Sequence, residues 1–308
     1  MLVLVGATGV GKTAVGTRVA GEIGGEIVNA DSRQVYRGMN IGTSKPSTAD
    51  FSSVPHHLFD IVEPDENFDV YTYNQLLRKT VCQIKSRSRI PILIGGSGQY
   101  VWSAVENWQF EMNEVDQGRR DEINQRFQVE GLQAMVNELQ NLDSEAAKRI
   151  DTKNPRRVIR ALERIASGSE PFISRKQSNC LNEGIFMVGL TLPRSRLYEV
   201  VDRRVEDMVR AGWMSEVKRL NQHGYGHTIT SMGGIGYREL QAFMEKEIEW
   251  TDCLTRIRSR THRLIRTQAN WFKSEDSRIR WIDLSELSPE QTVYQICDQY
   301  FNNVGTST

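Results

Sequence analysis

The sequence lacks any apolar run long enough to cross a membrane or to serve as a secretory signal. Its first apolar segment, residues 1–5, leads directly into a glycine-rich turn. A membrane-spanning helix needs about 20 apolar residues, and a signal peptide needs an apolar core of roughly 7–15. We therefore expect neither a transmembrane helix nor a signal peptide.

Cysteine is also scarce, because only four occur among the 308 residues and none belongs to a CxxC pair. They are Cys82, Cys180, Cys253 and Cys297. This scatter argues against a disulfide framework and against a zinc site, and it is typical of a reducing compartment. We expect a cytoplasmic protein.

Net charge is absent as well, since 39 basic residues balance 39 acidic ones. Bulk attraction to nucleic acid is therefore not implied, and any such binding must come from local clusters of charge. No internal repeat is evident. The length indicates one large domain with an insertion, or two modest domains.

The most informative segment that is present follows the first apolar run. It reads Gly6-Ala7-Thr8-Gly9-Val10-Gly11-Lys12-Thr13. Glycines allow a tight turn in which backbone N–H groups face a phosphate at the start of a helix. Lys12 adds a positive charge, and the Thr13 hydroxyl is suited to hold Mg²⁺. The pattern predicts a phosphate-binding loop (P-loop), which ATP, GTP or a pyrophosphate ester would all fit.

Short apolar segments alternate with helical ones and predict an α/β fold of the P-loop NTPase type, a parallel sheet flanked by helices. The predicted strands are Met1–Val5, Ile27–Ala30, Ile90–Ile94, Phe186–Leu192 and a short one at Arg280–Ile282. Ligands of open parallel sheets bind beyond the carboxyl ends of the strands. The P-loop, Asp31 and Ser97 should therefore share one edge. Asp31 is notable because nucleotide kinases and ATPases do not usually keep a catalytic base there.

An all-helical insertion interrupts this pattern. We assign residues 1–106 and 184–308 to the core and 107–183 to the insertion. Asp116–Leu142 carries apolar residues at helical spacing, and Pro155 is suited to the first turn of a further helix. In that helix Arg156, Arg160 and Arg164 fall on one face.

A second basic stretch lies near the C-terminus. It contains Arg256, Arg258, Arg260, Arg263, Arg266, Lys273, Arg278 and Arg280. Trp271, Phe272 and His262 are interleaved with it and could stack on bases. Most charge runs are solvated helix faces. Two such runs beside a phosphate site, in a neutral protein, favour a polyanionic partner such as RNA.

Motifs in order along nearly the whole chain resemble those of the tRNA dimethylallyltransferases, which transfer an isopentenyl group to adenine 37 of tRNAs. The motifs are Gly6–Thr13, Asp31–Thr43, Pro55-His56-His57-Leu58 with Asp60 and Pro64, Gly95–Tyr100, Asn154–Glu163 and Ile235–Glu239. No zinc-finger extension like that of eukaryotic relatives is present, which indicates a bacterial-type enzyme.

The resemblance implies a site for dimethylallyl diphosphate. Gly6 to Thr13 would bind the diphosphate, with Mg²⁺ on Thr13. Arg204 matches the pyrophosphate-binding arginine of the family, and Asp31 matches the general base that takes a proton from N6 of adenine. Ser97 would lie near the bridging phosphate oxygen or the target base.

The resemblance also implies contacts to tRNA. They would fall on Asp31, Ser32, Arg33, Gln34, Ser97, Arg120, Arg156, Arg157, Val158, Ile159, Arg160, Gly233, Gly234, Ile235, Gly236, Tyr237, Arg238 and Glu239. The chain departs from the family at His262 and Thr267, where arginines are expected. Nothing in the sequence suggests an obligate dimer, and we expect a monomer.

Three other functions remain open at this point. An enzyme that prenylates free adenine nucleotides would share the loop and the base, but it would not need the insertion or the basic stretches. A small-molecule P-loop kinase would need a nucleotide pocket and a lid, which no segment indicates. An RNA-binding regulator with a decayed P-loop would not be expected to retain Lys12, Thr13, Asp31 and Arg204.

Overall fold

The computed structural model describes residues 1–108, 117–166, 184–226 and 229–305. The chain forms two compact units, Met1–Glu106 with Ser178–Thr308, and Asn107–Gln177. The second unit begins where the predicted insertion begins, and the predicted end of the insertion at residue 183 lies outside the described residues. Within the described ranges, no helix combines the length and apolar character that a membrane span requires.

The first unit is built on a six-stranded parallel sheet with strand order β3-β2-β4-β1-β5-β6. The strands are β1 (Leu2–Gly6), β2 (Gly25–Asn29), β3 (His56–His57), β4 (Ile90–Gly95), β5 (Phe186–Thr191) and β6 (Ile279–Asp283). Central strands of such a sheet are covered on both faces, which is why β1 and β4 are nearly continuous apolar runs. The predicted fold class is thereby confirmed.

Helices pack on both faces of the sheet or form the second unit. They are α1 (Lys12–Ile23), α2 (Thr48–Ser53), α3 (Val70–Ser86), α4 (Gly98–Val105), α5 (Gln117–Leu142), α6 (Ser144–Arg149), α7 (Pro155–Ala166), α8 (Arg194–Arg210), α9 (Trp213–Gln222), α10 (Tyr237–Met244), α11 (Trp250–Trp271) and α12 (Pro289–Gly305). The five predicted strands occur within a few residues of their expected bounds. β3 was missed because it is two residues long and consists of histidines.

The second unit, in its described part, consists of α5, α6 and α7 around a small apolar core. That core includes Met135, Leu139, Val158 and Leu162. The long predicted helix is broken at Gly131, whose φ of 80° lies in the left-handed region that favours glycine. Pro155 begins α7 as expected, because its missing N–H would have no partner in a first turn.

A buried carboxylate on α9 fixes the loop that follows β2. Glu216 accepts hydrogen bonds from the backbone N–H groups of Asn40 (2.9 Å), Ile41 (2.8 Å) and Gly42 (3.2 Å). It also accepts one from the Tyr237 hydroxyl at 2.7 Å. Only 4% of Glu216 is exposed, so these four donors replace its water shell. The loop is thereby held against α9 and α10.

We expect Glu216→Ala to lower the free energy of unfolding by about 2–4 kcal/mol, because one buried hydroxyl and three partly buried N–H groups would lose their acceptor. Chemical denaturation of the purified variant measures this. Glu290→Ala is the matched control, since Glu290 is exposed and pairs with Arg18 at the surface. It should leave the denaturation midpoint nearly unchanged, and equal midpoints for the two variants would contradict the assignment.

Candidate functional site

The P-loop connects the end of β1 to the start of α1 at the carboxyl edge of the sheet. Gly9 and Gly11 have φ angles of 82° and 98°, which only glycine adopts readily. Lys12 Nζ donates to the carbonyl oxygens of Gly6 (2.9 Å) and Ala7 (2.8 Å). The lysine therefore closes over its own loop, beside the N-terminus of α1 that attracts anions.

Asp31 lies two residues beyond β2, at the same edge. Its backbone N–H donates to Asn29 Oδ1 at 2.8 Å, and its Oδ1 accepts from the N–H of Arg33 at 2.8 Å. Asn29 is almost fully buried and also donates to the Leu58 carbonyl at 3.0 Å. The carboxylate is thus held by a fixed turn and lines the cleft.

Ser97 joins the end of β4 to the Asp31 segment. Its N–H donates to the Ala30 carbonyl at 3.2 Å. Its Oγ accepts from the N–H of Ser32 at 2.9 Å and donates to Ser32 Oγ at 3.2 Å. The expectation that the P-loop, Asp31 and Ser97 meet at one edge is confirmed, since Thr8, Asp31 and Ser97 line the same cavity.

Two cavities meet at this edge. One of about 450 Å³ is bounded by the P-loop residues Thr8, Gly9, Gly11, Lys12 and Thr13, together with Asp31 and Arg204. The other, of about 460 Å³, shares Thr8, Asp31 and Arg204 with it and extends along Ser97. The wall that α8 and α11 form is largely apolar and includes Val201, Val205, Met208, Ile257 and Leu264, with Arg260 and Thr261 among them. Sequence reasoning missed this wall, because its spacing along α8 and α11 is that of ordinary core residues.

Lys12 and Arg204 lie near the Asp31 carboxylate where the cavities join, and Arg203 and Asp207 also line the smaller cavity. Burial lowers the pKa of Lys12 to about 8, with Asp31 acting to raise it and Arg204 acting to lower it. Burial also lowers the pKa of Arg204, and Asp31 opposes that shift. An excess of positive charge in a partly dehydrated cleft is the condition for binding a polyanion such as diphosphate.

The residues around Lys12 suit a magnesium ion held together with a phosphorylated ligand. Thr13 and Asp31 line the smaller cavity and supply hard oxygen ligands. Mg²⁺ usually takes one or two protein oxygens and completes its shell with phosphate oxygens and water. The donor set therefore fits the predicted ion, which the Thr13 hydroxyl would hold.

The segment after Asp31, residues 32–34, is partly buried and is held by hydrogen bonds to other loops. Arg33 donates to the Thr230 carbonyl at 3.2 Å, and Gln34 Nε2 donates to the carbonyls of Thr43 (2.9 Å) and Ser44 (3.0 Å). Ser32 and Arg33 line the larger cavity, whereas Gln34 lines the smaller one.

The segment 233–239 also borders the larger cavity. Gly233, Gly234, Ile235 and Tyr237 line it, and Arg238 is exposed. Glu239 is not among the lining residues: it is 7% exposed, accepts from the N–H of Gly236 at 2.7 Å and pairs with Arg260, which does line the cavity. Gly236 has a φ of 88° and lies against Trp213, so glycine is required there.

The predicted contacts on α7 divide by burial. Arg156, Arg157 and Arg160 are exposed, and Arg160 pairs with Glu163 at 3.1 Å. Val158 is fully buried in the core of the second unit. Any RNA contact at Val158 is therefore limited to its backbone, and Ile159 is partly buried against the same core. The side chain of Arg120 lies outside the described part of the structure.

The C-terminal basic stretch is only partly a free basic face. Arg258 pairs with Glu206, Arg260 with Glu239 and Arg278 with Asp276. Arg256, Arg263 and Arg266 are exposed on α11. His262, at a position where arginine was expected, donates from Nε2 to Asp202 Oδ1 (2.8 Å) and stacks on Tyr198 with ring centroids 4.0 Å apart. Thr267 is exposed and bonds back to the Arg263 carbonyl at 3.0 Å.

These features define a class: an α/β P-loop protein whose phosphate site opens into an apolar-walled cavity, with a carboxylate at the junction. A family model described as IPP transferase matches residues 34–275. The tRNA dimethylallyltransferase of Dehalococcoides mccartyi is 38% identical over 286 residues, covering 93% of this chain and 88% of that protein. Its namesake in Natranaerobius thermophilus is 34% identical over 310 residues, covering 99% and 91%. The chain belongs to the IPP transferase family.

Solved structures agree with this membership. The tRNA isopentenylpyrophosphate transferase of Bacillus halodurans is 31% identical, with a TM-score of 0.73 over 99% of this chain and 96% of that one. A eukaryotic dimethylallyltransferase acting on tRNA has a TM-score of 0.83 over 98% of this chain and 79% of that one. At 23% identity the second match bears on the fold alone.

The lowered pKa of Lys12 predicts how anion binding depends on pH. The free protein loses the Lys12 charge as pH rises through about 8. Affinity for inorganic pyrophosphate should therefore fall about tenfold between pH 7 and 9.5, as titration calorimetry measures. In Lys12→Arg the guanidinium stays charged over this range. The affinity of the wild-type protein divided by that of Lys12→Arg should therefore fall as pH rises, and the titration of pyrophosphate itself cancels in this ratio. A constant ratio across this range would contradict the prediction.

Proposed function

We propose that this chain transfers a dimethylallyl group from dimethylallyl diphosphate to N6 of adenine 37 in the anticodon loop of tRNAs, releasing pyrophosphate. One observation carries the proposal. A cationic phosphate cavity and an apolar-walled cavity join at a single carboxylate, Asp31. The activity named for the relatives that match nearly the whole chain supports the same reaction.

The P-loop cavity binds the leaving group. Its backbone amides, the Lys12 ammonium and the Arg204 guanidinium neutralise charge that grows on pyrophosphate as the allylic carbon–oxygen bond breaks. Because these donors are fixed by the loop and by α8, they need little reorganisation during the reaction. A magnesium ion, when bound at Thr13, would add further charge neutralisation on the diphosphate oxygens. No nucleotide is hydrolysed.

Asp31 acts on the acceptor. The N6 nitrogen of adenine attacks the allylic carbon, the new nitrogen–carbon bond forms, and pyrophosphate leaves with the electron pair of the broken bond. The proton lost from N6 passes to the Asp31 carboxylate. Ser97 fixes the Ser32 backbone next to this base and offers a hydroxyl in the same cavity. The apolar wall of α8 and α11 suits the dimethylallyl group.

The substrate base has to leave the anticodon loop to reach Asp31. Extracting a single-stranded base costs only a few kcal/mol, and stacking or hydrogen bonds in the pocket can offset this cost. The exposed arginines of α7 and α11 would contact tRNA phosphates. These contacts would hold the anticodon stem while the base enters the cavity. The segments 31–34 and 233–239, parts of which line the larger cavity, would contact the anticodon loop.

The proposal predicts that label from dimethylallyl diphosphate appears in undermodified tRNA. Purified protein with Mg²⁺ is offered tRNA and, in a parallel reaction, AMP. Asp31→Asn removes the base while keeping the shape of the side chain, and the rate should fall 10²- to 10⁴-fold. Asp298→Asn, an exposed position on α12, is the matched control and should keep the wild-type rate.

Other outcomes have definite meanings. Label in AMP alone would move the protein to the class that prenylates free nucleotides, and the exposed arginines would be solvated surface. ATP turnover without transfer of label to either acceptor would exclude prenyl transfer. Full activity of Asp31→Asn would remove Asp31 as the base while leaving the reaction in place.

Arginines on α7 give an independent test of the tRNA partner. Arg157→Ala should weaken binding to an anticodon stem-loop and reduce the slope of log affinity against log salt by roughly 1, because one phosphate contact is lost. Fluorescence anisotropy at several salt concentrations measures both quantities. Arg18→Ala removes an exposed arginine that pairs with Glu290, and it should keep the wild-type slope. Identical slopes for the two variants would contradict the contact.

A further inference from the structure

Gln268 is a buried polar side chain that the proposed reaction does not yet use. It lies in the last turn of α11 and is 6% exposed. Its neighbours in sequence, Arg266 and Thr267, are exposed. The Gln268 amide of α11 therefore points to the carboxyl edge of the sheet, whereas the residues next to it in sequence are exposed.

The two ends of that amide bind two different loops of the site. Oε1 accepts a hydrogen bond from the backbone N–H of Thr8, within the P-loop, at 2.8 Å. Nε2 donates to the backbone carbonyl of Gly96, which follows β4, at 3.1 Å. An uncharged amide is the group that presents an acceptor and a donor side by side.

Gly96 is shaped to receive this amide. A Cβ atom at that position would lie 2.2 Å from Gln268 Nε2, which no real contact permits. Gly98 is similarly close to Trp271, the last residue of α11, with an added Cβ 2.2 Å from its ring. The end of α11 is therefore packed directly on the loop that carries Ser97.

The bonds continue from Gln268 to the general base. Gly96 precedes Ser97, whose hydroxyl accepts from the N–H of Ser32 at 2.9 Å. Ser32 is adjacent to Asp31. A chain of contacts thus runs from the Thr8 amide, through Gln268 and the Ser97 loop, to the segment that carries Asp31.

We propose that Gln268 is a positioning residue that holds the P-loop and the Ser97 loop at a fixed separation, so that the diphosphate and the base Asp31 are aligned with each other. The inference rests on the proposed function. Its physical basis is that preorganised donors act on a developing charge only while their geometry is held within a fraction of an ångström. The proposed role of Gln268 differs from that of the exposed residues of α11. Both ends of its amide are hydrogen-bonded within the protein, so they cannot bind RNA.

Two substitutions of similar size test the two bonds. Gln268→Met removes both polar atoms. Gln268→Glu keeps an acceptor for the Thr8 N–H but turns a second oxygen toward the Gly96 carbonyl. Each should lower kcat/KM for dimethylallyl diphosphate roughly 10- to 100-fold, with the dissociation constant for tRNA within about twofold of wild type. Gln222→Glu, at an exposed position on α9, is the matched control.

The pH profile distinguishes positioning from a loss of packing. When protonated, the carboxyl of Gln268→Glu can donate to the Gly96 carbonyl as the native amide does. The activity of Gln268→Glu relative to wild type should therefore rise as pH falls from 8 to 5.5, whereas that of Gln268→Met should stay constant. Taking the ratio removes the pH dependence that the variants share with the wild-type protein.

Each result decides the matter. Donor kinetics equal to wild type in both variants would overturn the inference, as would a loss confined to tRNA affinity or parallel pH profiles for the two variants. Thermal melts of both variants establish that each is folded under the conditions of the kinetic assay. Absence of transfer by the wild-type protein itself would count against the proposed function. In that case pyrophosphate affinity, which Gln268→Met should weaken and Gln222→Glu should not, still tests the positioning of the P-loop.

Discussion

The site depends on an excess of positive charge at the P-loop, where Lys12, Arg203 and Arg204 line one cavity with the carboxylates of Asp31 and Asp207. Burial lowers the pKa of Lys12 to about 8 from an ordinary 10.5, so the folded chain binds fewer protons than the unfolded chain between these values. Stability therefore rises with pH over that window, and below about pH 8 the charged lysine is a cost to the fold. A bound polyanion removes this cost, which links the stability of the cleft to its ligand.

That cleft is held open by hydrogen bonds from side chains to backbone. Asn29 fixes the turn at Asp31, Ser97 fixes Ser32, and Glu216 fixes the loop at Asn40 to Gly42. Each of these side chains replaces solvent for main-chain groups that lie outside the sheet and the helices. The parallel sheet brings the loops to one edge, and these polar side chains fix the position of each loop backbone there.

The parts predicted from sequence are those with local signals. The P-loop has an eight-residue pattern, and the strands are continuous apolar runs, so their shared edge followed from the rule for parallel sheets. Glu216 and Gln268 had no local signal, because each acts on segments more than 170 residues away in the chain. Val158 was predicted to contact RNA from a motif alone, and helical spacing places it on the buried face of α7.

Long-range contacts also explain why the basic residues of α11 do not form one continuous surface. Arg258 and Arg260 are paired with Glu206 and Glu239, and those pairs tie the helix to α8 and α10. His262 does similar work, since it bonds to Asp202 and stacks on Tyr198, both on α8. Arg204 lies on α8 too, so these contacts also hold the helix that carries Arg204, the cation proposed to bind the diphosphate. At position 262, where arginine was expected, the histidine side chain packs α11 onto α8 instead of forming part of an exposed basic surface.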